Sequence, residues 1–250
     1  MQMNELLPDM RIERRPLHEE VAERLRELIT EGVLVPGNRL NERVLCEQLQ
    51  VSRTPLREAL KLLAGERLIE LNPNRGASVA ALSRDDIEHL FELMATLEGL
   101  SGELAAQRRT ETELAEIKAL HYEMLAAHAR RDLPTYYRLN RQIHETINRC
   151  TRNPALAETY HAVNTRLQNL RFRSNFNQVK WDAAVREHQE MIDALTARAA
   201  GSLRRILERH LLHKRDTVLE QFDAAVNAAA EATGKPTGNA TGRAVAGHPA

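Results

Sequence analysis

The chain has 250 residues, enough for one large or two modest domains, and its 35 Lys and Arg residues balance 35 Asp and Glu residues. A formal charge of zero excludes a global basic field, so any contact with nucleic acid must depend on a local basic face. Two cysteines outside any CxxC pattern argue against a disulfide framework or a thiolate zinc site, and they fit a reducing cytoplasm. No secretory signal opens the chain, and no apolar run reaches the roughly 18 residues that span a bilayer. We therefore expect a cytoplasmic protein without a membrane partner.

The composition favours a mostly α fold, because Leu, Ala, Glu and Arg dominate and aromatic residues make up only 4%. Residues 1–15 are mixed and polar, which predicts a flexible arm. Residues 16–81 combine three short helices with a hairpin. Asn41 can cap the second helix, and Ser52 or Thr54 can cap the third. Two short strands joined by the turn sequence NPNRG follow. This order of elements predicts a winged helix-turn-helix.

From residue 82 onward the pattern changes to continuous amphipathic helix. Ser83 and Asp86 have the spacing of a capping box, which marks the start of the first long helix. The predicted helices cover residues 84–108, 112–130, 133–150, 154–173, 178–198 and 202–224. Six such helices joined by short loops predict an all-α bundle over residues 82–225. The segment 226–250 is rich in Ala, Gly and Thr without an apolar period, so we predict a disordered tail.

The stretch VSRTPLREAL gives the third helix a cationic start. Arg53 and Arg57, four positions apart, project from one side of its first turns. A recognition helix presents such an end to the major groove, where arginine can pair with guanine and hydroxyl groups can contact phosphates. An RxxxR pair alone is more often a solvated helix face, and here the surrounding helix-turn-helix and wing favour DNA binding. The predicted DNA-contacting residues are Arg43, Ser52, Arg53, Thr54, Arg57, Lys61, Arg75 and Gly76.

The motifs LNERVLCEQLQVSRTPLREALKLLAGERLIE and NPNRGASV resemble the DNA-binding domain of the GntR family of bacterial transcription regulators. The resemblance covers residues 17–80. It implies that the side chains matching the family's operator contacts do the same here, namely Arg43, Ser52, Arg53, Thr54, Arg57 and the wing residue Gly76.

Four residues of the bundle have a spacing that could bind a divalent metal. Asn140 and His144 lie one helical turn apart, while His188 and His210 lie on two later helices. Three helices could bring these side chains together in the bundle core. Taken singly, a histidine is more often a hydrogen-bonded or surface residue. The spacing by itself therefore leaves the metal open.

Residues 84–222 resemble the FCD ligand-binding domain of FadR-type regulators, in the six-helix VanR-like variety. The resemblance implies that Asn140, His144, His188 and His210 bind a divalent metal that helps to hold a small organic acid. We expect zinc, with nickel or manganese as alternatives. Asn140 departs from the commoner aspartate, and a neutral amide is a weaker ligand for a hard cation.

Met94 stands where many members of the family carry an arginine that pairs with the carboxylate of the ligand. The resemblance therefore leaves the effector's cationic partner open. Arg171 and Arg173 are the candidates, and surface positions at a helix end are an equally good interpretation of both. Predicted lining residues of the effector pocket are Asn175, Asn177 and Trp181.

These features predict a homodimeric transcription regulator, a repressor, that binds a palindromic operator through two helices about 34 Å apart. A small carboxylic acid would change its DNA affinity, in a direction that the sequence does not fix. A helical metalloenzyme is the first alternative, but a di-iron site needs paired ExxH motifs, and Glu158 to His161 is the single one. HExxH, a phosphate-binding glycine loop and a nucleophile elbow are missing from the sequence. The second alternative, a winged helix for protein contacts, is disfavoured because a cationic surface repels apolar partners.

Overall fold

The computed structural model describes residues 15–72 and 76–233. Arg75, nearly all of the predicted N-terminal arm and the last part of the predicted tail lie outside these residues. The mostly α fold is confirmed, with an N-terminal winged helix-turn-helix followed by a helical bundle. In the described part of the chain, none of the helices is long and apolar enough to cross a bilayer.

The N-terminal unit contains three helices and a small sheet. Its elements are α1 (Leu17–Thr30), β1 (Arg39–Leu40), α2 (Glu42–Leu49), α3 (Arg53–Gly65), β2 (Ile69–Asn72) and β3 (Gly76–Val79). The strands are antiparallel in the order β1-β3-β2, and Ile69 pairs with Val79. Strand β1 is absent from the sequence prediction, because two residues are too short to show an alternating pattern. Leu25, Leu56 and Leu63 form the centre of the core beneath α3.

The helix-turn-helix is fixed by local capping. The Asn41 side chain accepts hydrogen bonds from the backbone N–H groups of Arg43 and Val44, which confirms its predicted role as the N-cap of α2. Gln50 closes the helix in the left-handed region, with φ of 54°. Ser52 occupies the N-cap position of α3, but its hydroxyl makes no capping hydrogen bond. The hydroxyl therefore stays available for another partner.

The bundle consists of the six helices that the sequence predicts. They are α4 (Arg84–Arg108), α5 (Glu111–Ala129), α6 (Leu133–Arg149), α7 (Pro154–Arg173), α8 (Gln178–Thr196) and α9 (Ala200–Thr233), with a 3₁₀ turn at Ser174–Phe176. The predicted capping box of Ser83 and Asp86 is present. Helix α4 packs closely along α9. A Cβ atom added at Gly102 would overlap Cδ1 of Leu207, a buried side chain of the main core, so this close approach depends on glycine.

The predicted tail needs correction at its start. Helix α9 continues to Thr233, well past the expected boundary at residue 226. The segment after Phe222 lacks an apolar period, but it is rich in alanine, the residue with the highest helix propensity. Because α9 is already nucleated by its packing in the bundle, each further alanine extends an existing helix at little cost.

Helix α7 connects the bundle to the N-terminal unit. The Asn169 side chain, which is buried, donates from Nδ2 to the carbonyl oxygens of Ile29 at 2.8 Å and Thr30 at 3.0 Å. Carbonyl groups in the last turn of a helix have no partner within that helix. Asn169 therefore caps α1 from the other domain. Thr30 adds a second link by donating to Oε1 of Gln168 at 3.2 Å.

Candidate DNA-binding surface and metal centre

The start of α3 is an exposed cationic surface. Arg57 lies 3.0 Å from Glu42, and both guanidinium and carboxylate belong to the helix-turn-helix. Arg43 and Lys61 pair with acidic neighbours on their own helices. Arg53 is exposed and makes no ion pair within the described residues. Exposed pairs are worth little, typically about 0–1 kcal/mol, so a phosphate or a base edge can replace the acidic partners.

Ser52, Thr54 and Gly76, three further predicted DNA contacts, lie on the same unit. Ser52 and Thr54 are exposed on either side of Arg53. Gly76 begins β3 with φ of +79°, a conformation that side chains with a Cβ rarely adopt. The backbone conformation of the wing therefore favours glycine at this position. The DNA-contacting roles of these residues remain predictions.

Three histidines from three helices meet in the bundle core. His144 of α6, His188 of α8 and His210 of α9 are all buried. One ring nitrogen from each lies within 4.8 Å of those of the other two. The ring centroids are 5.1 Å apart for His144 and His188, and 5.2 Å apart for His188 and His210. The structure therefore gathers the three imidazoles that the sequence only suggested could converge.

Two carboxylates orient two of the imidazoles. Nδ1 of His144 lies 2.7 Å from Glu98, and Nδ1 of His210 lies 2.6 Å from Glu187. The His210 contact has the geometry of a hydrogen bond, whereas the His144 contact is a close ion-pair distance. With a proton on each Nδ1, both Nε2 atoms are free to accept. Metal-binding histidines usually donate their second nitrogen to a carboxylate in this way. Glu98 and Glu187 thus hold the donor set in the form that a metal needs.

The nitrogens that face the cluster have no hydrogen-bond partner within the described chain. They are Nε2 of His144, Nε2 of His210 and both ring nitrogens of His188. A buried polar group without a partner costs about 1–3 kcal/mol, so such a concentration calls for an explanation. A divalent cation bound by one nitrogen of each imidazole would satisfy three of these four atoms, and the residues fit that group.

Burial disfavours the charged form of two of these imidazoles, His188 and His210. It lowers the pKa of His188 well below its ordinary value, and the neighbouring imidazoles lower it further. Burial also lowers the pKa of His210 to about 4, although Glu187 opposes the change. Burial would raise the pKa of Glu98, but its neighbours His144 and Arg171 outweigh it and lower that pKa to about 2. Neutral imidazole is the form that binds a metal.

Asn140, the fourth predicted ligand, is buried, and so is Met94 on the first helix of the bundle. Asn140 lies on α6, one turn before His144, and is 6% exposed. Met94 is fully buried in an apolar cluster with Phe91 and Leu211. It therefore supplies no charge to the site. The metal-binding role of Asn140 remains a prediction.

The structure separates the predicted effector-binding residues. Arg171 is buried, lies 3.0 Å from Glu98 and donates to Asn164 at 2.8 Å. Arg173 is exposed and lines a cleft between the bundle and the N-terminal unit. The two arginines are therefore in different places, although they are two positions apart. Only Arg171 is linked to the histidine cluster, through Glu98.

The other predicted lining residues of the effector pocket also lie in different surroundings. Asn175 is buried and accepts a hydrogen bond from Lys214. Asn177 is the N-cap of α8 and accepts from the backbone N–H of Lys180. Trp181 packs edge-on against His128, with ring centroids 4.8 Å apart, inside the main hydrophobic core.

Three charged residues of the site escaped the sequence analysis. Glu187 precedes His188 directly, and Lys214 follows His210 by four positions, so a search at helical spacing could have found both. Glu98 had no such signal, because it lies in LEGL, more than forty residues before the first histidine of the cluster.

Comparison with known proteins agrees with both halves of this structure. Residues 17–79 match the family model of the bacterial regulatory proteins, gntR family, and residues 89–213 match the model of the FCD domain. The Glc operon transcriptional activator of Escherichia coli (strain K12) is 35% identical over 189 residues, covering 68% of this chain and 73% of the activator.

A second relative and a solved structure extend the comparison. The HTH-type transcriptional regulator YdhC of Bacillus subtilis (strain 168) is 26% identical over 199 residues, covering 79% of this chain and 89% of YdhC. The E. coli McbR/YncC structure superposes with a TM-score of 0.75 at 22% identity, over 84% of this chain and all of that one. The latter likeness shows the fold. The two relatives are named as transcription regulators and not as enzymes. This chain belongs to the GntR family of bacterial transcription regulators, with an FCD domain after its DNA-binding domain.

Proposed function

We propose that the protein is a homodimeric repressor that binds a palindromic operator, and that a small carboxylic acid held beside a bound metal changes its DNA affinity. The observation that carries the proposal is the combination of an exposed cationic α3 with a buried cluster of three imidazoles whose inward nitrogens lack partners. The first suits a polyanion, and the second suits a cation that in turn attracts an anion.

Operator binding rests on the start of α3. A single recognition helix reads only a few base pairs, so two copies related by two-fold symmetry are needed for a specific site. Selection of bound duplexes from a random pool tests this. We expect palindromes whose half-sites lie about one helical turn, ~34 Å, apart. Selected sites without internal symmetry would contradict the homodimer.

The metal rests on His144, His188 and His210. In the bound state the ion would attract an anionic effector and provide it with an electrophilic anchor. Zinc is the proposed ion, with nickel or manganese as alternatives, and Asn140 is the proposed fourth ligand. Elemental analysis of purified protein tests the assignment. We expect metal in the parent chain and its loss in His188→Ala.

Repression is the proposed outcome, because occupancy of an operator that overlaps a promoter is enough to block transcription. The relative from the Glc operon is an activator, so a promoter fusion measured with and without the regulator is the deciding assay. Expression that rises when the regulator is deleted supports repression, and expression that falls contradicts it. A regulator of this kind acts where the bacterial chromosome is, in the cytoplasm.

A further inference from the structure

A cavity of about 310 Å³ lies in the cleft between the N-terminal unit and the bundle. Its size is at the lower end of the range of small-molecule sites, about 300–1,000 Å³. Side chains of α1, of the loop after it and of the segment after α3 line one side, and α7 with Phe222 of α9 lines the other. Residues 80–82, which connect the two units, line it as well. A molecule bound in this interdomain cavity would therefore contact both units at once.

The walls of the interdomain cavity are mostly apolar. Ile29 and Leu68 come from the N-terminal unit, whereas Ile87, Leu170 and Phe222 come from the bundle. Such walls bind the apolar part of a ligand through the surface that is removed from water. No Asp or Glu is among the lining residues that the structure describes, so no carboxylate in the wall repels an anion.

Four arginines line the cavity, and one of them is already neutralised. Arg26 pairs with Glu23 and Glu66, both at 2.6 Å. Arg67, from the N-terminal unit, and Arg173, from α7, are exposed. Within the described part of the chain, their guanidinium groups form no hydrogen bond or ion pair. Both are therefore available to a ligand.

Arg166 of α7, the fourth arginine, has the clearest need for an anion. Its side chain is half-buried, and its Nε is buried without a hydrogen-bond partner among the described residues. A buried donor without a partner is unfavourable, and a charged one especially so. Asp86 interacts with Arg166 at longer range, but its carboxylate is hydrogen-bonded to Ser83 in the capping box of α4. Arg166 thus lacks a direct counter-ion.

The three unpaired arginines approach the cavity from both units. Arg166 and Arg173 lie on the face of α7 that carries Asn169, the residue that caps α1, and they are two turns or about 10 Å apart. Arg67 belongs to the opposite wall. Like charges on facing walls repel each other, and an anion between them replaces this repulsion by attraction. An anionic ligand would therefore hold the two units together.

We propose that the interdomain cavity is a second ligand site, and that it binds an amphipathic anion with one charged head group and an alkyl or aryl body. Arg166 pairs with the head group, Arg67 and Arg173 add to the positive field, and the apolar walls cover the body. Alkanoates and alkyl sulfates of medium length share this chemistry. The inference is independent of the proposed metal and effector, because no residue of the histidine cluster lines the cavity.

Isothermal titration of the full chain with octanoate, octyl sulfate, octanamide and acetate, below micelle-forming concentrations, tests the proposal. We expect one saturable site per chain for octanoate or octyl sulfate, and the tighter of the two identifies the preferred head group. Octanamide has the same apolar body without the charge and should bind about tenfold more weakly than octanoate. Acetate has the charge without the body and should not bind measurably. Equal affinities for octanoate and octanamide would overturn the assignment of an anion.

Variants place the ligand in the cavity. Arg166→Met should lower the affinity for the octyl anion by about tenfold or more, because a charge-assisted contact is lost. Arg173→Met should lower it by about threefold, because an exposed ion pair is weaker. Arg130→Met is the matched control, since Arg130 is an exposed arginine that forms no ion pair within the described residues and does not line the cavity. It should change the affinity by less than about twofold.

Two further measurements separate the possible failures. Arg166→Gln replaces Arg166→Met if the latter melts early, since it removes the charge but keeps a polar side chain. The octyl anion should bind equally well with and without a metal chelator. Binding that requires the metal and is unchanged in both arginine variants would place the anion at the histidine cluster, which overturns the inference and leaves the proposed function standing. Absence of saturable binding by either octyl anion also overturns the inference, and it leaves metal and operator binding unaffected.

Discussion

The DNA-binding surface and the histidine cluster both contain groups that need a charged partner, but the first is exposed to water and the second is buried. Around the start of α3, the guanidinium groups are in water, and Arg43 and Arg57 have acidic neighbours that cost little to exchange. In the bundle, four of the imidazole nitrogens in the cluster are buried and have no hydrogen-bond partner among the described residues. The exposed arginines therefore do not destabilise the fold when no DNA is bound. The histidine cluster carries a free-energy cost until a cation satisfies it, so metal and folding of the bundle should be coupled.

The largest effect that tests this contrast is removal of the metal. With free metal at about a thousand times its Kd, binding adds about 4 kcal/mol, which corresponds to a melting shift of about 10 °C for a domain of this size. Chelation, or His188→Ala, should therefore lower the melting temperature of the bundle. Calorimetry measures it, with the exposed His161→Ala as control. An identical melting curve with and without chelator would show that the cluster binds no metal.

A substitution on the exposed DNA-binding surface should change the affinity for the operator and leave the stability of the protein unchanged. Replacing Arg53 by Ala should weaken operator binding by on the order of 1–3 kcal/mol, because a base or phosphate contact is lost. Fluorescence anisotropy with a selected operator measures this. Arg24→Ala is the matched control, since Arg24 is an exposed arginine of α1 paired with Glu27. Equal operator affinity in the Arg53 and Arg24 variants would remove α3 from the DNA interface.

A third prediction concerns the link between the sites. Asn169→Ala removes two hydrogen bonds to α1, each worth about 1 kcal/mol, so the expected loss of stability is about 1–2 kcal/mol. Arg171 lies two residues further along α7, so this helix joins the metal site to the DNA-binding unit. We therefore expect the difference in operator affinity between metal-free and metal-loaded protein to shrink.

The exposed Thr159→Ala on the same helix is the control for that measurement. If Asn169→Ala lowers the stability but keeps the full metal-dependent change in operator affinity, α7 does not carry the coupling. Denaturant unfolding and anisotropy, made on the same samples, distinguish the two results.

The smallest effect concerns an ion pair near the surface of the bundle. The backbone N–H of Thr110, followed by Arg152, lowers the pKa of Glu113 from 4.5 to about 2. Its stabilising contribution is therefore complete above pH 4.5 and is lost as the pH falls towards 2. Glu113→Gln keeps the capping box but not the charge, so it should cost less than about 1 kcal/mol at pH 7.

Denaturant unfolding from pH 7 down to pH 3 checks this prediction. The stability difference between the parent and Glu113→Gln should narrow on acidification. A difference that stays constant over this range would mean that the charge of Glu113 contributes nothing, and that the variant acts through packing.

Local signals explain why much of the fold could be predicted. Capping residues such as Asn41 and Ser83 act on backbone groups two or three positions away, so their sequence pattern contains the whole interaction. The same holds for the apolar period of each long helix. Strand β1 and the continuation of α9 were missed, because the first depends on pairing with β3 and the second on a helix nucleated elsewhere.

The sequence by itself determined the family, the order of helices and the recognition helix, because all of these are written in contiguous residues. Tertiary structure alone decided that His144, His188 and His210 meet in one buried cluster, and that Glu98 pairs with Arg171. The physical reason is distance along the chain. Charges on separate helices interact only after packing has removed water between them, and their partners cannot be assigned before the helices are placed.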